Sequence, residues 1–415
     1  MRKSWMITIV VALVLLFVAS LPGLFSLPPL KQIVLHRVER KVGQKVTIDK
    51  VQFTWMGPQR IQGVHITTPE IKGVIQEISS TVPFWSIRSF EAGIENIQGS
   101  GTTNTDGKKG NFSIQATQVE GEITLNFSAE QMPTSAMLKL LKANPSFASL
   151  IGPFFNANGL ATMKDCAGKF DLDFTSPQTQ GNLHALFTPK GITLRSPFSL
   201  SFYLMPELTQ SLTNGALSIQ SQTPAYIEIQ PKDFFLPRPF SLEKLQIGKG
   251  SLDLSKIFLQ RVNLAPLASL LKADRLTASQ IDMWCTSIDF SLKQGNFSMG
   301  RIDALLQNSV HLCAWGDANL LKSQLDMIFG IPADTLAKSL RIPNLPSSYV
   351  LQIPVTGSFQ HPDIDTGGAT AKLTMLIAGK QAQKQGGILG GAAAILGKLS
   401  EEKAPPAKRP FPWEK

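Results

Sequence analysis

Apolar residues fall along this chain in two rhythms. From Trp5 to Leu24 they run almost unbroken: Met6 to Val18 is interrupted only by Thr8, and no charge follows Lys3 until Lys31. Those 20 residues are enough for a helix to cross a hydrocarbon core of about 30 Å. Further on the rhythm becomes period two, the spacing of half-buried strands. Val46 and Ile48 share one face, whereas Val51, Phe53 and Trp55 have the other parity, so Asp49-Lys50 predicts a change of phase such as a bulge. Phe170, Leu172 and Phe174 alternate with Asp171 and Asp173. Ile288, Phe290 and Leu292 alternate with Asp289, Ser291 and Lys293, and Gln294-Gly295-Asn296 turns the chain back. Val310, Leu312 and Ala314 alternate with His311 and Cys313, and Leu351, Ile353 and Val355 close the series.

The breaks between strands carry turn chemistry. Residues 99–110 read as a polar, glycine-rich loop, and Gly316-Asp317 as a turn. Short helices are predicted within 133–155, broken at Pro145, and over 204–212, 332–340 and 369–378. Leu30, Val34, Val38 and Val42, with Arg37, Arg40 and Lys41 between them, predict a helix that either lies on a membrane or caps the first sheet. Five segments follow: an anchor or signal sequence at 1–30, a helix and β unit at 31–130, a middle β region with short helices at 131–270, a C-terminal β module at 271–368, and a tail at 369–415. The tail is small-residue-rich around 386–397, and from Lys403 it is basic, proline-rich and expected to be disordered. The fold class is mainly β: an N-terminal transmembrane helix, then elongated, curved antiparallel sheets forming a groove, with a few short helices.

Two readings of the first segment stay open at this level. A cleaved signal peptide would end near Val18-Ala19-Ser20, whereas a retained anchor uses the extension through Leu27. Charge counting does not orient it, because Arg2 and Lys3 on one side face Lys31, Arg37, Arg40, Lys41 and Lys45 on the other.

Composition narrows the chemistry. The net charge of +10 is spread along the chain, and no basic run is interleaved with aromatics. That distribution fits an anionic membrane surface and argues against a nucleic-acid partner. Three cysteines, Cys166, Cys285 and Cys313, have no CxxC spacing; Cys285 and Cys313 could pair if adjacent strands bring them together, but the odd count favours buried free thiols. His36, His65, His184, His311 and His361 lie far apart, none at metal-ligand spacing, so no metal and no cofactor is expected. Acidic residues stand singly on strand faces, no nucleophile elbow is present, and a non-enzyme is expected. What remains is apolar strand faces that must be covered. A second sheet or helices would make a filled core, and a sheet curled on itself would leave a trough for acyl chains. Val46, Ile48, Ile288, Phe290, Leu292, Leu351, Ile353 and Val355 are the groove candidates; Arg37, Arg40 and Lys41 are the membrane-surface candidates.

Two stretches carry a family likeness. After the apolar start comes VGQKVTIDKVQFTWMGPQRIQGVHITTPE, then VIQEISSTVPFWSIRSFEAGIENIQGSG; near the end, TSIDFSLKQGNFSMGRIDALLQNSVHLCAWGDANLLKSQLDMIFGIP runs into YVLQIPVTGSFQHPDID. These resemble the AsmA-like/TamB family of bacterial envelope proteins, related to repeating β-groove lipid carriers. The likeness covers about a third of the chain and rests on turns and strand faces; residues 121–271 match in style only. It implies a single-pass inner-membrane anchor, a β-rich body in the periplasm, and a part in phospholipid transport or outer-membrane biogenesis, with no catalytic residues. It implies phospholipid and the inner membrane as partners. An envelope-assembly protein that pairs other proteins at its sheet edges is the alternative.

Overall fold

The computed structural model describes residues 46–414, apart from 55–57, 68–70, 84–93, 106–107, 142–143, 213–217, 261–267, 270, 272, 343–344, 360 and 385–403. The anchor, the basic helix behind it and Arg37, Arg40 and Lys41 therefore lie outside the described residues. Among the described residues no helix is long and apolar enough to cross a membrane. The protein is mainly β with few helices, and its strand pairs are antiparallel. It divides into two compact units on either side of Pro177, with Leu186–Thr188 returning to the first. That division falls inside the segment read from sequence as one middle region.

The first unit is a meander. β1 (Val46–Gln52), β2 (Gln59–Thr67), β3 (Ile71–Ser80), β4 (Ile94–Thr105), β5 (Lys108–Val119), β6 (Glu122–Pro133), β7 (Phe154–Lys164) and β8 (Ala167–Thr175) each pair with the next. The change of phase expected at Asp49 occurs without a bulge. Ile48 faces Val64 and Lys50 faces Gln62 in one unbroken register, and Gly63, at φ +65°, lets both strands turn over together. A side chain at Gly63 would collide with the Asp49 carboxylate, which instead reaches His65 at 2.9 Å. Of the glycine-rich stretch 99–110, residues 99–105 and 108–110 are strand where a loop was expected. Gly101 stands opposite Phe112, whose ring occupies the space a Cβ would fill, so the aromatic neighbour covers the glycine that weakens the strand. Helices Thr134–Leu141 and Phe147–Ile151, on either side of Pro145, cover the end of this face around Ala129, Phe155 and Ala157.

The second unit is a longer ladder. β9 (Thr179–Thr188), β11 (Phe198–Phe202), β13 (Ala225–Ile229), β15 (Gln246–Asp253), β18 (Ile288–Lys293), β19 (Asn296–Leu306), β20 (Val310–Asn319), β21 (Gln324–Pro332), β22 (Val350–Ser358) and β23 (Pro362–Ile364) pair in that order. β10 (Gly191–Leu194) pairs with the two-residue β14 (Leu236–Pro237). A branch of β12 (Ser218–Ser221), β16 (Lys256–Gln260) and β17 (Gln280–Cys285) joins the far half of β19. β20 continues through Gly316-Asp317, because the register shift between Met299 and Ile302 on β19 absorbs the irregularity there. Helices Pro206–Leu212, Ala333–Leu340 and Thr366–Lys384 complete the unit. Its core joins Leu306, Leu312, Ile331, Leu351 and Ile353 from the strands to Leu336, Ala369, Leu373 and Leu376 from the last two helices.

Candidate functional site

The register brings together side chains that are up to about 170 residues apart in sequence. Phe198 faces Ile229, which faces Gly250; then follow Phe290, Met299, Gly316, Met327, Val355 and Ile364, each opposite the next. One apolar row thus crosses nine strands, β11 to β23, on a single face. A parallel row, Leu200–Ile227–Leu252–Ile288, flanks it. The Phe290 ring lies over Gly250, a close approach that requires glycine, and stacks on Phe297 with centroids 5.7 Å apart. Phe198, Ile229, Phe290, Met299, Met327 and Val355 are half-buried, and Ile364 is 49% exposed. Such a contiguous, half-open apolar strip is uncommon on a soluble monomer.

The same face is sealed at its other end. Leu351 and Ile353 share a strand face with Val355, yet they sit at 0% and 3% exposure under the helices around Leu336 and Leu373. Of the groove candidates, Ile288, Phe290 and Val355 therefore belong to the half-open strip, and Leu292 lies buried beside it. Leu351 and Ile353 are core residues instead. Val46 and Ile48 are likewise packed in the closed core of the first unit, against Val51, Phe53, Ile61 and Val64. The first unit's own concavity, about 470 Å³, is lined by polar side chains such as Gln98, Gln115, Asn126, Asn158 and Asp171 together with Ile114, Phe127 and Leu160.

The opposite face of β19 and β20 holds a charged cluster that sequence spacing did not reveal. Asp303, fully buried, receives Arg301 through both carboxylate oxygens, at 2.7 Å from Nη2 and 3.0 Å from Nε. His311 bridges two carboxylates: Nε2 lies 3.0 Å from Asp303, and Nδ1 3.1 Å from Asp334 on helix Ala333–Leu340. The Thr335 hydroxyl donates to the His311 carbonyl at 2.7 Å and accepts from its N–H at 2.9 Å, locking the strand end to the helix. Burial works against a charged imidazole, but the two carboxylates outweigh it and hold His311 above the ordinary histidine pKa. Asp334 also resists burial and is held below the usual carboxylate range by the His311 ring. Over this cluster lies the terminal segment 404–414, which was expected to be disordered. Phe411 is 2% exposed and its ring centroid is 5.0 Å from that of His311; Trp413 is 5.6 Å away and stacks on Phe411 at 4.7 Å. The only advance sign was His311 at the polar phase of a strand beside an aromatic, basic tail; the spacing from 303 to 334 to 411 has no motif.

Among the described residues no group of three or more ligating side chains is placed to hold a metal. The cysteines are free: Cys285 and Cys313 are buried and do not pair, and Cys166 is exposed. Burial pushes the Cys285 and Cys313 thiols up to about 12. Iodoacetamide at pH 8 should therefore alkylate Cys166 in the folded chain and spare the other two, as peptide mass mapping would show; modification of Cys313 at the rate of Cys166 would contradict the burial.

No family model, curated protein or solved structure matches this chain.

Proposed function

We propose that this protein is a non-catalytic, membrane-tethered β-groove protein of the AsmA-like/TamB kind, which binds lipid acyl chains along the half-open row of its second unit. By that reading it is held at the inner membrane with its body in the periplasm, and serves phospholipid transport or outer-membrane biogenesis. The observation that carries it is the continuity of the row from Phe198 to Ile364. Nine strands at about 4.8 Å spacing make a strip roughly 38 Å long, longer than the hydrocarbon core of about 30 Å that two lipid leaflets fill. Each acyl methylene covered there gains about 0.8 kcal/mol. Side chains of the row have few polar neighbours on their own face.

The test is photocrosslinking with an acyl-chain diazirine phospholipid on the full-length chain in detergent, followed by peptide mapping. Labelling should concentrate on β18 to β22 and fall at least fivefold in Met327→Asp, whose side chain is half-exposed and whose charge can reach water. Uniform labelling, or labelling untouched by Met327→Asp, would overturn the proposal.

A further inference from the structure

One end of the second unit's ladder differs from the rest in what it shows to solvent. Its outermost rung is set by register: Gln246 faces Lys293, then follow Asn296, Asn319, Gln324 and Ser358, each opposite the next. The connections beyond that rung expose three bulky apolar side chains, Phe240 at 68%, Leu321 at 51% and Phe359 at 43%. Backbone hydrogen bonds hold these connections at the same end. The Leu320 N–H donates to the Gly295 carbonyl at 2.8 Å, that of Phe359 to Ser323 at 3.2 Å and that of Arg238 to Lys190 at 2.9 Å, while Phe235 bridges to Gln246. The rung and its connections also carry five exposed cations, Lys190, Arg238, Lys244, Lys293 and Lys322. Among the described residues the only exposed carboxylate there is Glu243. The next ones, Asp233, Asp317, Asp326 and Asp363, stand two rungs further in, about 7 Å behind the edge. An open hollow of about 620 Å³ at this edge is lined by Lys244 and Lys322, by Phe235 and Leu321, by the amides of Gln294 and Asn319, and by Glu243.

Bulky apolar side chains on separate connections, in an edge where cations outnumber acids, match the boundary of an anionic bilayer. There the apolar groups reach the acyl region and the cations meet lipid phosphates. We propose that this edge of the second unit docks on an anionic phospholipid surface, with Phe240, Leu321 and Phe359 entering the interface and Lys244 and Lys322 holding a headgroup phosphate at the hollow. The edge also continues into the apolar strip. Leu292, Phe297, Ala318, Leu325 and Gly357, each opposite the next, form a row one rung in from the edge. Two residues further along the same strands, and so on the same face, stand Phe290, Met299, Gly316, Met327 and Val355 of the strip. Docking therefore sets the long side of the strip about 10 Å from the bilayer surface. That the strip draws its acyl chains from this bilayer rests on the lipid reading above; the docking itself does not.

Vesicle flotation tests it, with the full-length chain held in phosphatidylcholine nanodiscs and offered vesicles of phosphatidylcholine alone or with about a third phosphatidylglycerol. Anionic vesicles should capture the wild type at least tenfold better than neutral ones, and 0.5 M salt should abolish the difference by screening. Lys244→Glu/Lys322→Glu should lower capture at least tenfold. Phe240→Ser/Leu321→Ser should lower it at least threefold while its salt dependence stays as in wild type. All four side chains are exposed, and unchanged sparing of Cys285 and Cys313 by iodoacetamide confirms that each variant is folded. Equal capture by neutral vesicles, no capture at all, or capture untouched by both double variants would each overturn the docking. Met327→Asp, behind the edge, should be captured as wild type is. Capture without acyl-probe labelling removes the lipid reading and leaves the docking; labelling without capture does the reverse.

Discussion

Replacing Asp303 by alanine is expected to destabilise the second unit by about 3–5 kcal/mol, the range for leaving a buried ion without its partner. Asp303 is 0% exposed, and its removal leaves Arg301, at 9% side-chain exposure, without its carboxylate and takes from His311, at 6%, one of its two. The melting transition of that unit should fall by roughly 6–20 °C, at about 2–4 °C per kcal/mol for a unit of this size. Asp334→Asn should cost much less, because its carboxylate is 48% exposed and water replaces part of what His311 provides. The pH dependence follows from the directions of the two shifts. His311 has a raised pKa, so its contribution is fully present below the ordinary histidine value and is lost as pH rises through the folded one. Asp334 has a lowered pKa, so its contribution is present above the usual carboxylate value and is lost as pH falls through the folded one. Stability of this unit should therefore peak between those limits and decline on the alkaline side, and His311→Gln should flatten the alkaline decline. Thermal melts from pH 5 to pH 9 check this; parallel profiles for wild type and His311→Gln would refute it.

The second large effect separates core from strip along one strand. Leu351→Ala removes a fully buried side chain beneath two helices and should cost about 2–5 kcal/mol. Val355→Ala, four residues along the same face, should cost under about 1 kcal/mol because its site is half-open and leaves no closed cavity. Acyl-probe labelling should respond in the reverse order: nearly unchanged per folded molecule in Leu351→Ala, and reduced in Val355→Ala. Urea melts together with probe yield distinguish the two. Equal destabilisation by both substitutions would mean that the whole face is core, with no strip left for a ligand.

Much of this architecture was legible from local pattern. The alternation at 288–292 and 349–355, the turn at Gln294-Gly295 and the helices on either side of Pro145 depend on neighbours in sequence, and these elements form where expected. Two irregular positions misled for a physical reason. Gly99 to Gly110 has turn composition, but Phe112 on the adjoining strand packs over Gly101 and makes the strand tenable. Gly316-Asp317 likewise has turn composition but stays in strand, because the compensating shift lies on its partner β19. His311 and Cys313 occupy what alternation marks as a solvent face; both are buried, because the helix after β21 and the terminal segment cover it.

Period-two patterning by itself determined that this chain makes antiparallel strands, each with one apolar face, since side-chain direction in a strand depends only on residue parity. Which parts of that face are sealed and which stay half-open was decided by tertiary structure alone. Leu351 and Val355 have the same parity and similar chemistry, and they differ only in whether a helix more than fifteen residues away lies over them. The Asp303–His311–Asp334 cluster is of the same kind. Three strand and helix positions with no common motif become one charged site only when the register of β19, β20 and β21 sets them within about 3 Å of one another.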